Sequence, residues 1–324
     1  MRRIILFIAL LILAGGGTAI GEGLSPAIEG SRFRASDGAI LPVRVWESAV
    51  SPPRGVIVAL HGFNDYSNAF AIPAPFFTRQ GITLYAYDQR GFGNAPLRGR
   101  WGGRDRYLDD LRQFTRLVRQ QHPGIPLYIL GDSMGGAVAI VAATDPSPPV
   151  ADGLILVAPA VWGRNTMPWY QRWLLAIASR LFPGMTVTGK DLGIRPSDNG
   201  EMLRALGRDP LMIRETRIDT IAGLVDLMDE ALEQVEKLTL PTLWLYGRHD
   251  EIIPPEATLT ALRRASPMVR PLFYDRGYHM LMRDLHAGEP LADIVQWIGN
   301  HAAPARYGKG EWITGGEKEA PEAR

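Results

Sequence analysis

Short runs of apolar residues recur along the chain and alternate with longer amphipathic stretches. Seven runs have the length of a strand, at 40–46, 55–60, 82–87, 127–130, 154–158, 243–246 and 269–274. Runs without polar alternation suit a sheet that is covered on both faces. Helical stretches are predicted at 69–80, 107–121, 135–143, 256–265 and 291–301. This alternation predicts an α/β fold with a mostly parallel, doubly wound sheet.

The segment from 161 to 240 interrupts the alternation of predicted strands and helices. About 80 residues separate two predicted strands there, far more than an ordinary connection contains. The segment has helical patterns of its own at 168–182, 197–206 and 220–238. We therefore predict a helical cap at about 161–240, inserted into a main domain that spans 24–302.

Two apolar series run along the predicted cap helices. In the first, an apolar residue recurs every four positions at Trp169, Trp173, Ile177 and Leu181. Such a stripe either is buried against the main domain, or forms a lid wall or a face that docks on a membrane. The second series is predicted to form the core of the cap and comprises Ile218, Ile221, Leu224, Val225, Met228 and Leu232.

The two ends of the chain differ in composition from the rest. Two arginines precede eleven consecutive apolar residues at 4–14, and small residues follow. The segment 1–23 is therefore predicted to be either a secretory signal, cleaved after Ala19, or an uncleaved membrane anchor. Both alternatives predict a location in the cell envelope, exported or anchored in the membrane. The stretch 303–324 has few apolar residues and is predicted to be a disordered tail.

Composition and charge exclude several classes of function. Of the 324 residues, 46% are hydrophobic and 21% are charged, as is typical of a globular protein. The formal net charge of +1 argues against nucleic acid as a partner. Because the chain has no cysteine, disulfides, thiolate zinc sites and cysteine nucleophiles are excluded.

The strongest chemical signal is the sequence Gly131-Asp132-Ser133-Met134-Gly135. It lies between a predicted strand and a helix that begins with small residues, which is the context of a nucleophile elbow. Glycines two positions before and after the serine allow the strand and the helix to approach closely. The pattern predicts that Ser133 is a catalytic nucleophile.

A serine nucleophile needs a base, and an acid orients that base. Among six histidines, His279 is the candidate base, because it lies in the loop that follows the last predicted strand. The acid is expected after the penultimate strand, between the serine and the histidine in chain order. Asp250 lies there, followed by an apolar pair and proline, and the adjacent Glu251 is the alternative.

Acyl transfer also needs backbone N–H groups that stabilise an oxyanion. Met134, directly after the serine, is expected to supply one, and Phe63, after the strand 55–60, the other. Asn64 either lines the pocket or bonds within its own loop. The candidate substrate-binding residues are Asn64, Trp162, Trp169 and Trp173.

Several motifs together resemble those of the α/β-hydrolase family. They are His61-Gly62-Phe63-Asn64, 87–93, 131–136, Asp209-Pro210-Leu211, 247–250 and Gly277-Tyr278-His279. Within this family the chain resembles the monoacylglycerol lipase and lysophospholipase group and its serine aminopeptidase-like branch. The resemblance extends over about 32–302, nearly the whole chain beyond the predicted leader.

The resemblance implies a triad of Ser133, Asp250 and His279, oxyanion amides at Phe63 and Met134, and a cap over an acyl pocket. It implies neither a metal nor an organic cofactor. One motif departs from the family, which usually has a small hydroxyl residue where this chain reads Gly93-Asn94-Ala95. The departure concerns a loop and leaves the triad unaffected.

Together, the residues and the resemblance predict a serine hydrolase that cleaves carboxylic esters through an acyl-enzyme. The expected partner is a small-molecule ester or lipid, such as a monoacylglycerol or a lysophospholipid, with membrane association through the N-terminal segment. A thioesterase or a peptidase with the same triad is the first alternative. The second is a non-catalytic, membrane-anchored binding protein, which is disfavoured because the triad is complete.

Overall fold

The computed structural model describes residues 24–189 and 193–312. The predicted signal or anchor at 1–23 therefore lies outside the described residues. Among the helices that are described, none is long and apolar enough to cross a membrane.

Strands and helices are labelled here in chain order. The strands are β1 (Ala27–Glu29), β2 (Arg32–Arg34), β3 (Ile40–Trp46), β4 (Gly55–Leu60), β5 (Ile82–Tyr87), β6 (Leu127–Asp132), β7 (Gly153–Val157), β8 (Thr186–Val187), β9 (Thr216–Arg217), β10 (Thr242–Gly247) and β11 (Val269–Tyr274). The α-helices are α1 (Ala74–Arg79), α2 (Arg104–Gln121), α3 (Met134–Ala143), α4 (Trp169–Leu181), α5 (Gly200–Leu206), α6 (Ile218–Gln234), α7 (Pro255–Arg264) and α8 (Gly288–Gly299).

Nine of the strands form one sheet, in the order β1-β2-β3-β5-β4-β6-β7-β10-β11. The pairs from β5 to β11 are all parallel, whereas β1, β2 and β3 join antiparallel at one edge. The predicted fold class, a mostly parallel sheet, is confirmed. The sequence pattern does not reveal β1 and β2, because three residues are too few to display a period.

Helices cover both faces of the sheet. One apolar cluster joins the sheet to α2, α3, α6 and α7, and the other joins it to α1 and α8. Every residue of β4, β5, β6, β7 and β10 is buried, which explains why these strands are continuous apolar runs. Helix α3 is also buried on all sides, as its uniformly small and apolar composition requires.

The single helix predicted at 69–80 is wrong. The segment instead forms a 3₁₀ turn at Ser67–Phe70, followed by α1. Pro73 precedes α1 and Pro75 lies in its first turn. A proline is tolerated there but breaks the hydrogen bonds of a helix interior, so the two pieces cannot be continuous.

The segment between β7 and β10 contains α4, α5, α6 and the antiparallel pair β8–β9. Helix α6 packs against α3 and joins the main core. In contrast, α4 has no buried residue, and Trp169 and Trp173 are 72% and 65% exposed. The interpretation of the tryptophan stripe as a face buried on the main domain is therefore wrong. On α4 it is Leu175, outside that stripe, that contacts the core.

The predicted disorder of the C-terminal tail is wrong for residues 303–312, and 313–324 lie outside the described residues. Lys309 and Phe273 of β11 exchange two backbone hydrogen bonds of 2.8 and 3.0 Å. The ring of Trp312 packs against those of Tyr246 and Phe273. A few aromatic and backbone contacts thus fix a segment whose composition alone is typical of disorder.

A buried carboxylate also holds this tail. Asp293 of α8 accepts hydrogen bonds from the backbone N–H groups of Arg306, Tyr307 and Gly308 and from the hydroxyl of Tyr274. Asp293 is buried, so these donors replace the water that its charge would otherwise bind.

Replacement of Asp293 with alanine should therefore destabilise the fold. We expect the free energy of unfolding, measured by urea denaturation, to fall by about 2–4 kcal/mol, because several buried donors lose a charged acceptor. Glu233→Ala, which removes an exposed carboxylate from α6, is the control and should change it by less than about 0.5 kcal/mol. Equal effects of the two substitutions would contradict this account of the tail.

Candidate active site

Ser133 occupies the sharp turn between β6 and α3. Its backbone has φ 52° and ψ −114°, in the positive-φ half of the Ramachandran map that residues with a side chain rarely adopt. Backbone hydrogen bonds hold this strained turn. The Ser133 N–H donates to Val157 O (2.9 Å), and Ser133 O accepts from the N–H groups of Gly136 and Ala160 (both 2.9 Å).

The glycines around Ser133 are required by space. A Cβ atom at Gly131 would lie 2.5 Å from the carbonyl oxygen of Gly135, and one at Gly135 would lie 2.2 Å from that of Leu60. Both distances are far below van der Waals contact with backbone atoms. The spacing of the motif therefore follows from the contact between β4, β6 and the start of α3.

Ser133, His279 and Asp250 form one hydrogen-bonded chain. His279 Nε2 lies 3.0 Å from Ser133 Oγ, and His279 Nδ1 lies 2.8 Å from Asp250 Oδ2. The other oxygen of Asp250 accepts from the N–H groups of Ile252 (2.8 Å) and Ile253 (2.9 Å). Glu251 instead accepts from the backbone N–H of Arg195. The geometry selects Asp250 over Glu251 as the partner of the histidine.

The surroundings of His279 favour its protonated form. Burial by itself lowers the pKa of His279, but the charge and hydrogen bond of Asp250, together with the charge of Asp132, outweigh burial and raise it. With Nδ1–H donating to Asp250, the lone pair of Nε2 faces the hydroxyl of Ser133. This is the tautomer that a general base for serine requires.

Phe63 and Met134 carry the two backbone N–H groups predicted to stabilise an oxyanion. Met134 is the first residue of α3, so its N–H has no acceptor within the helix. The N–H of Phe63 forms no hydrogen bond with the described residues. A Cβ at Gly62, one residue earlier, would lie 3.2 Å from Ser133 Cβ, so this loop passes directly beside Ser133.

His61 fixes the loop and does not reach Ser133. Its Nε2 accepts from the N–H of Gln89 (2.9 Å), and its Nδ1–H donates to Gly62 O (2.8 Å). Burial lowers the pKa of His61, which keeps the ring neutral. The ring therefore stabilises the loop, in agreement with the prediction that His61 is not the base.

Ser133 and His279 line a cavity of about 400 Å³. Its walls are mostly apolar, and helix α6 contributes Ile221, Leu224, Val225 and Met228. The predicted core of the cap is thus partly the wall of the cavity.

Two of the four candidate substrate-binding residues line this cavity, namely Asn64 and Trp162. Trp169 and Trp173 do not, because α4 turns them outward to the surface, and their assignment to the pocket is wrong. Asn64 Nδ2 donates to Thr216 Oγ1 (2.7 Å), which ties the loop of Phe63 to the cap. Asn64 Oδ1 is buried without a hydrogen-bond partner among the described residues.

Sequence reasoning missed a cluster of buried charges that also lines the cavity: Asp65, Asp132 and Arg283. Burial raises the pKa of Asp132 to about 6, and the positive charge of Arg283 opposes this effect. Asp132 stands in the elbow motif, but nothing in the sequence indicates that residues 65, 132 and 283 meet. Across the described part of the chain, no group of three or more histidine and carboxylate side chains could hold a metal ion.

Residues 51–286 match the model of a family described as serine aminopeptidase, S33. The chain belongs to this family. The monoacylglycerol lipase of Mycolicibacterium smegmatis is 29% identical over 281 residues, which cover 83% of this chain and 96% of that relative. The human monoglyceride lipase is 24% identical over 282 residues, covering 83% and 90% of the two chains.

A solved structure of the monoacylglycerol lipase from Paleococcus ferrophilus has the same fold. It superposes with a TM-score of 0.68 at 21% identity and covers 81% of this chain and 99% of that one. The resemblance to α/β-hydrolases that the motifs indicated is thereby confirmed.

The influence of Asp132 on His279 predicts a pH effect. The rate at which a fluorophosphonate labels Ser133 should fall at pH values below the pKa of His279, because the base is then protonated. This fall is the acidic limb of the pH–rate profile. The pKa of His279 is raised by Asp250 and Asp132, and burial raises that of Asp132 to about 6. Asp132→Asn removes a negative charge that favours the imidazolium, so the limb should move to lower pH by about 0.5–1 unit.

The control for this measurement is Asp152→Asn, which removes a carboxylate at the opposite end of the sheet, and it should leave the limb in place. A limb of Asp132→Asn that stays in place or moves to higher pH would show that Asp132 does not act on the base.

Proposed function

We propose that this protein is a serine hydrolase that cleaves monoacylglycerol-like lipids through an acyl-enzyme. It is a carboxylic ester hydrolase, and the proposed mechanism and substrate class rest on one observation. The chain Ser133–His279–Asp250 opens into an apolar cavity that also carries an unpartnered acceptor and buried charges.

The geometry supports the following acylation step. His279 Nε2 takes the proton of Ser133 Oγ as that oxygen attacks the carbonyl carbon of the ester. The carbonyl oxygen becomes an oxyanion, which the N–H groups of Phe63 and Met134 stabilise. Asp250 stabilises the imidazolium of His279 while it exists. The proton then passes to the alcohol oxygen as the C–O bond breaks, leaving the acyl group on Ser133.

Deacylation repeats the same steps with water. His279 Nε2 removes a proton from a water molecule, whose oxygen attacks the acyl carbon. When the new tetrahedral intermediate collapses, Ser133 Oγ leaves and recovers the proton from His279. The products are a fatty acid and the restored triad.

The cavity supports an acyl chain as one part of the substrate. Its volume lies within the range of small-molecule sites. Each methylene group that moves from water into an apolar wall contributes about 0.8 kcal/mol. The side chains of α6 thus favour a hydrocarbon over the polar backbone of a peptide.

The polar part of the cavity supports an uncharged head group. The charged side chains that line it, apart from His279, are two aspartates and one arginine, which leave a net negative charge. A phosphate would be repelled by that charge. The hydroxyls of glycerol can donate to Asn64 Oδ1, which has no partner among the described residues.

The outer face of α4 supports access to lipid surfaces. Trp169, Trp173, Leu174 and Leu181 are all more than half exposed. An amphipathic helix with exposed tryptophans lies readily at the boundary between lipid head groups and acyl chains. The basic and apolar segment at 1–23 supports a location in the cell envelope for such a reaction.

The first test compares two lipids that carry the same oleoyl chain. We expect kcat/KM for monooleoylglycerol to exceed that for oleoyl lysophosphatidylglycerol by at least about tenfold, given the negative charge of the cavity. Ser133→Ala should lower hydrolysis of both by about 10⁴-fold or more, because the nucleophile is lost.

Ser147→Ala, an exposed serine that does not line the cavity, is the matched control and should keep full activity. Equal activity on the two lipids would overturn the head-group assignment alone. An active Ser133→Ala variant would overturn the serine mechanism.

The second test concerns α4. The double substitution Trp169→Ser and Trp173→Ser should lower hydrolysis of emulsified monooleoylglycerol by about tenfold, because two large apolar anchors are lost. Hydrolysis of dissolved p-nitrophenyl butyrate should not change, since neither residue lines the cavity. Ile72→Ser, an exposed apolar residue outside the cap, is the control. A parallel loss on both substrates would mean that the tryptophans act on the site and not on the lipid surface.

A further inference from the structure

Three chain segments meet at the site, and each contributes one buried charged residue to the wall of the catalytic cavity. Asp65 follows Phe63 by two residues, Asp132 directly precedes Ser133, and Arg283 follows His279 by four residues. All three charged side chains are buried and line the catalytic cavity. Each one therefore belongs to the same segment as an oxyanion amide, the nucleophile or the base.

Arg283 bridges the other two. Its Nη1 lies 2.8 Å from Asp65 Oδ2, and its Nη2 lies 3.9 Å from Asp132 Oδ2. The remaining oxygen of Asp65 accepts from the backbone N–H of Tyr66 (2.8 Å). One guanidinium thus connects the loop of His279 with the loop of Phe63 and with the turn that carries Ser133.

The segment that carries Arg283 is itself held from the other side. Arg283 O accepts from Asn199 Nδ2 (3.0 Å), and the N–H of Met280 donates to Pro196 O (2.9 Å). The carboxylate of Asp284 accepts from Ser197 Oγ (2.5 Å) and from the N–H of Tyr278 (2.7 Å). The backbone of this segment is therefore anchored before the guanidinium reaches across the site.

We propose that Arg283 is a positioning residue, which holds the oxyanion loop and the elbow in register with His279 through Asp65 and Asp132. Without Arg283, two carboxylates would remain buried beside the nucleophile with no cation to pair with. Breaking a buried pair in this way is unfavourable, so the carboxylates must take up protons or move toward water. Either change displaces Phe63 or Ser133 from the geometry described above.

The inference rests on the proposed serine hydrolase function, and its test uses the full chain with a soluble ester. Arg283→Met should lower kcat by about 10–100-fold, as a small misplacement of reacting groups does. KM should change by less than about threefold, because the apolar wall that binds the acyl chain is intact. Each kcat is expressed per active site, counted by fluorophosphonate titration, so that an unfolded fraction does not enter it.

Two further variants separate positioning from folding. Arg283→Lys keeps the charge but not the fork of donors, so it should recover part of the lost kcat. Asp65→Asn should lower kcat as well, and the double variant Asp65→Asn/Arg283→Met should lose little more than Arg283→Met alone, because the two residues act as one pair.

Arg90→Met is the matched control. Arg90 is also buried and paired with two carboxylates, Asp37 and Asp110, but it does not line the cavity. Its loss should reduce stability and leave kcat per titrated site within about twofold of the native value.

The proposal is overturned if kcat per site of Arg283→Met stays within about threefold of the native value. It is also overturned if the losses of Asp65→Asn and Arg283→Met multiply in the double variant, since the residues would then act separately. Ser133→Ala distinguishes this failure from failure of the proposed function. An inactive Ser133→Ala beside an unaffected Arg283→Met refutes the role of Arg283 alone.

Discussion

The close approach of β4, β6 and α3 around Ser133 is the constraint on which the rest of the site depends. Because Gly131 and Gly135 have no Cβ, the start of α3 can lie against the ends of the two strands. The turn then forces Ser133 to a positive φ, which directs its hydroxyl into the cavity and leaves the N–H of Met134 free of helical partners. The same contact brings the loop of Phe63 beside Ser133. One packing arrangement therefore positions both the proposed nucleophile and the proposed oxyanion amides.

Sequence reasoning succeeded where the information is local. Strands β4 and β5 have the predicted bounds, because each is a continuous apolar run that ends at a turn signal. The grouping of Ser133, Asp250 and His279 was predictable from their order and from their positions at strand ends. The tail at 303–312 was not, because its order depends on Asp293 and on the aromatic contacts of Trp312. The meeting of Asp65, Asp132 and Arg283 depends on tertiary folding in the same way.

Helices α4 and α6 show why an apolar stripe does not by itself reveal its surroundings. Both have apolar residues at helical spacing, yet α6 is largely buried and α4 has no buried residue. The difference lies in the partner: α6 packs against α3, which is apolar on every side, whereas the stripe of α4 has no such neighbour within residues 24–189 and 193–312. Periodicity identifies the apolar face of a helix. The tertiary fold determines whether other parts of the protein, solvent or lipid cover that face.

The buried charges must serve two opposite demands in one reaction. In the proposed mechanism, formation of the tetrahedral intermediate places a positive charge on His279 and a negative charge near Phe63 and Met134. Carboxylates stabilise the first and destabilise the second, so their distribution matters more than their number. Asp250 lies on His279, away from the oxyanion, and Asp132 adds to its effect on the base. Asp65 belongs to the oxyanion loop itself, and it is the carboxylate that Arg283 contacts most closely. In the proposed mechanism, the arginine thus offsets most strongly the carboxylate of the loop that carries Phe63, and it acts from a greater distance on Asp132, which favours the imidazolium.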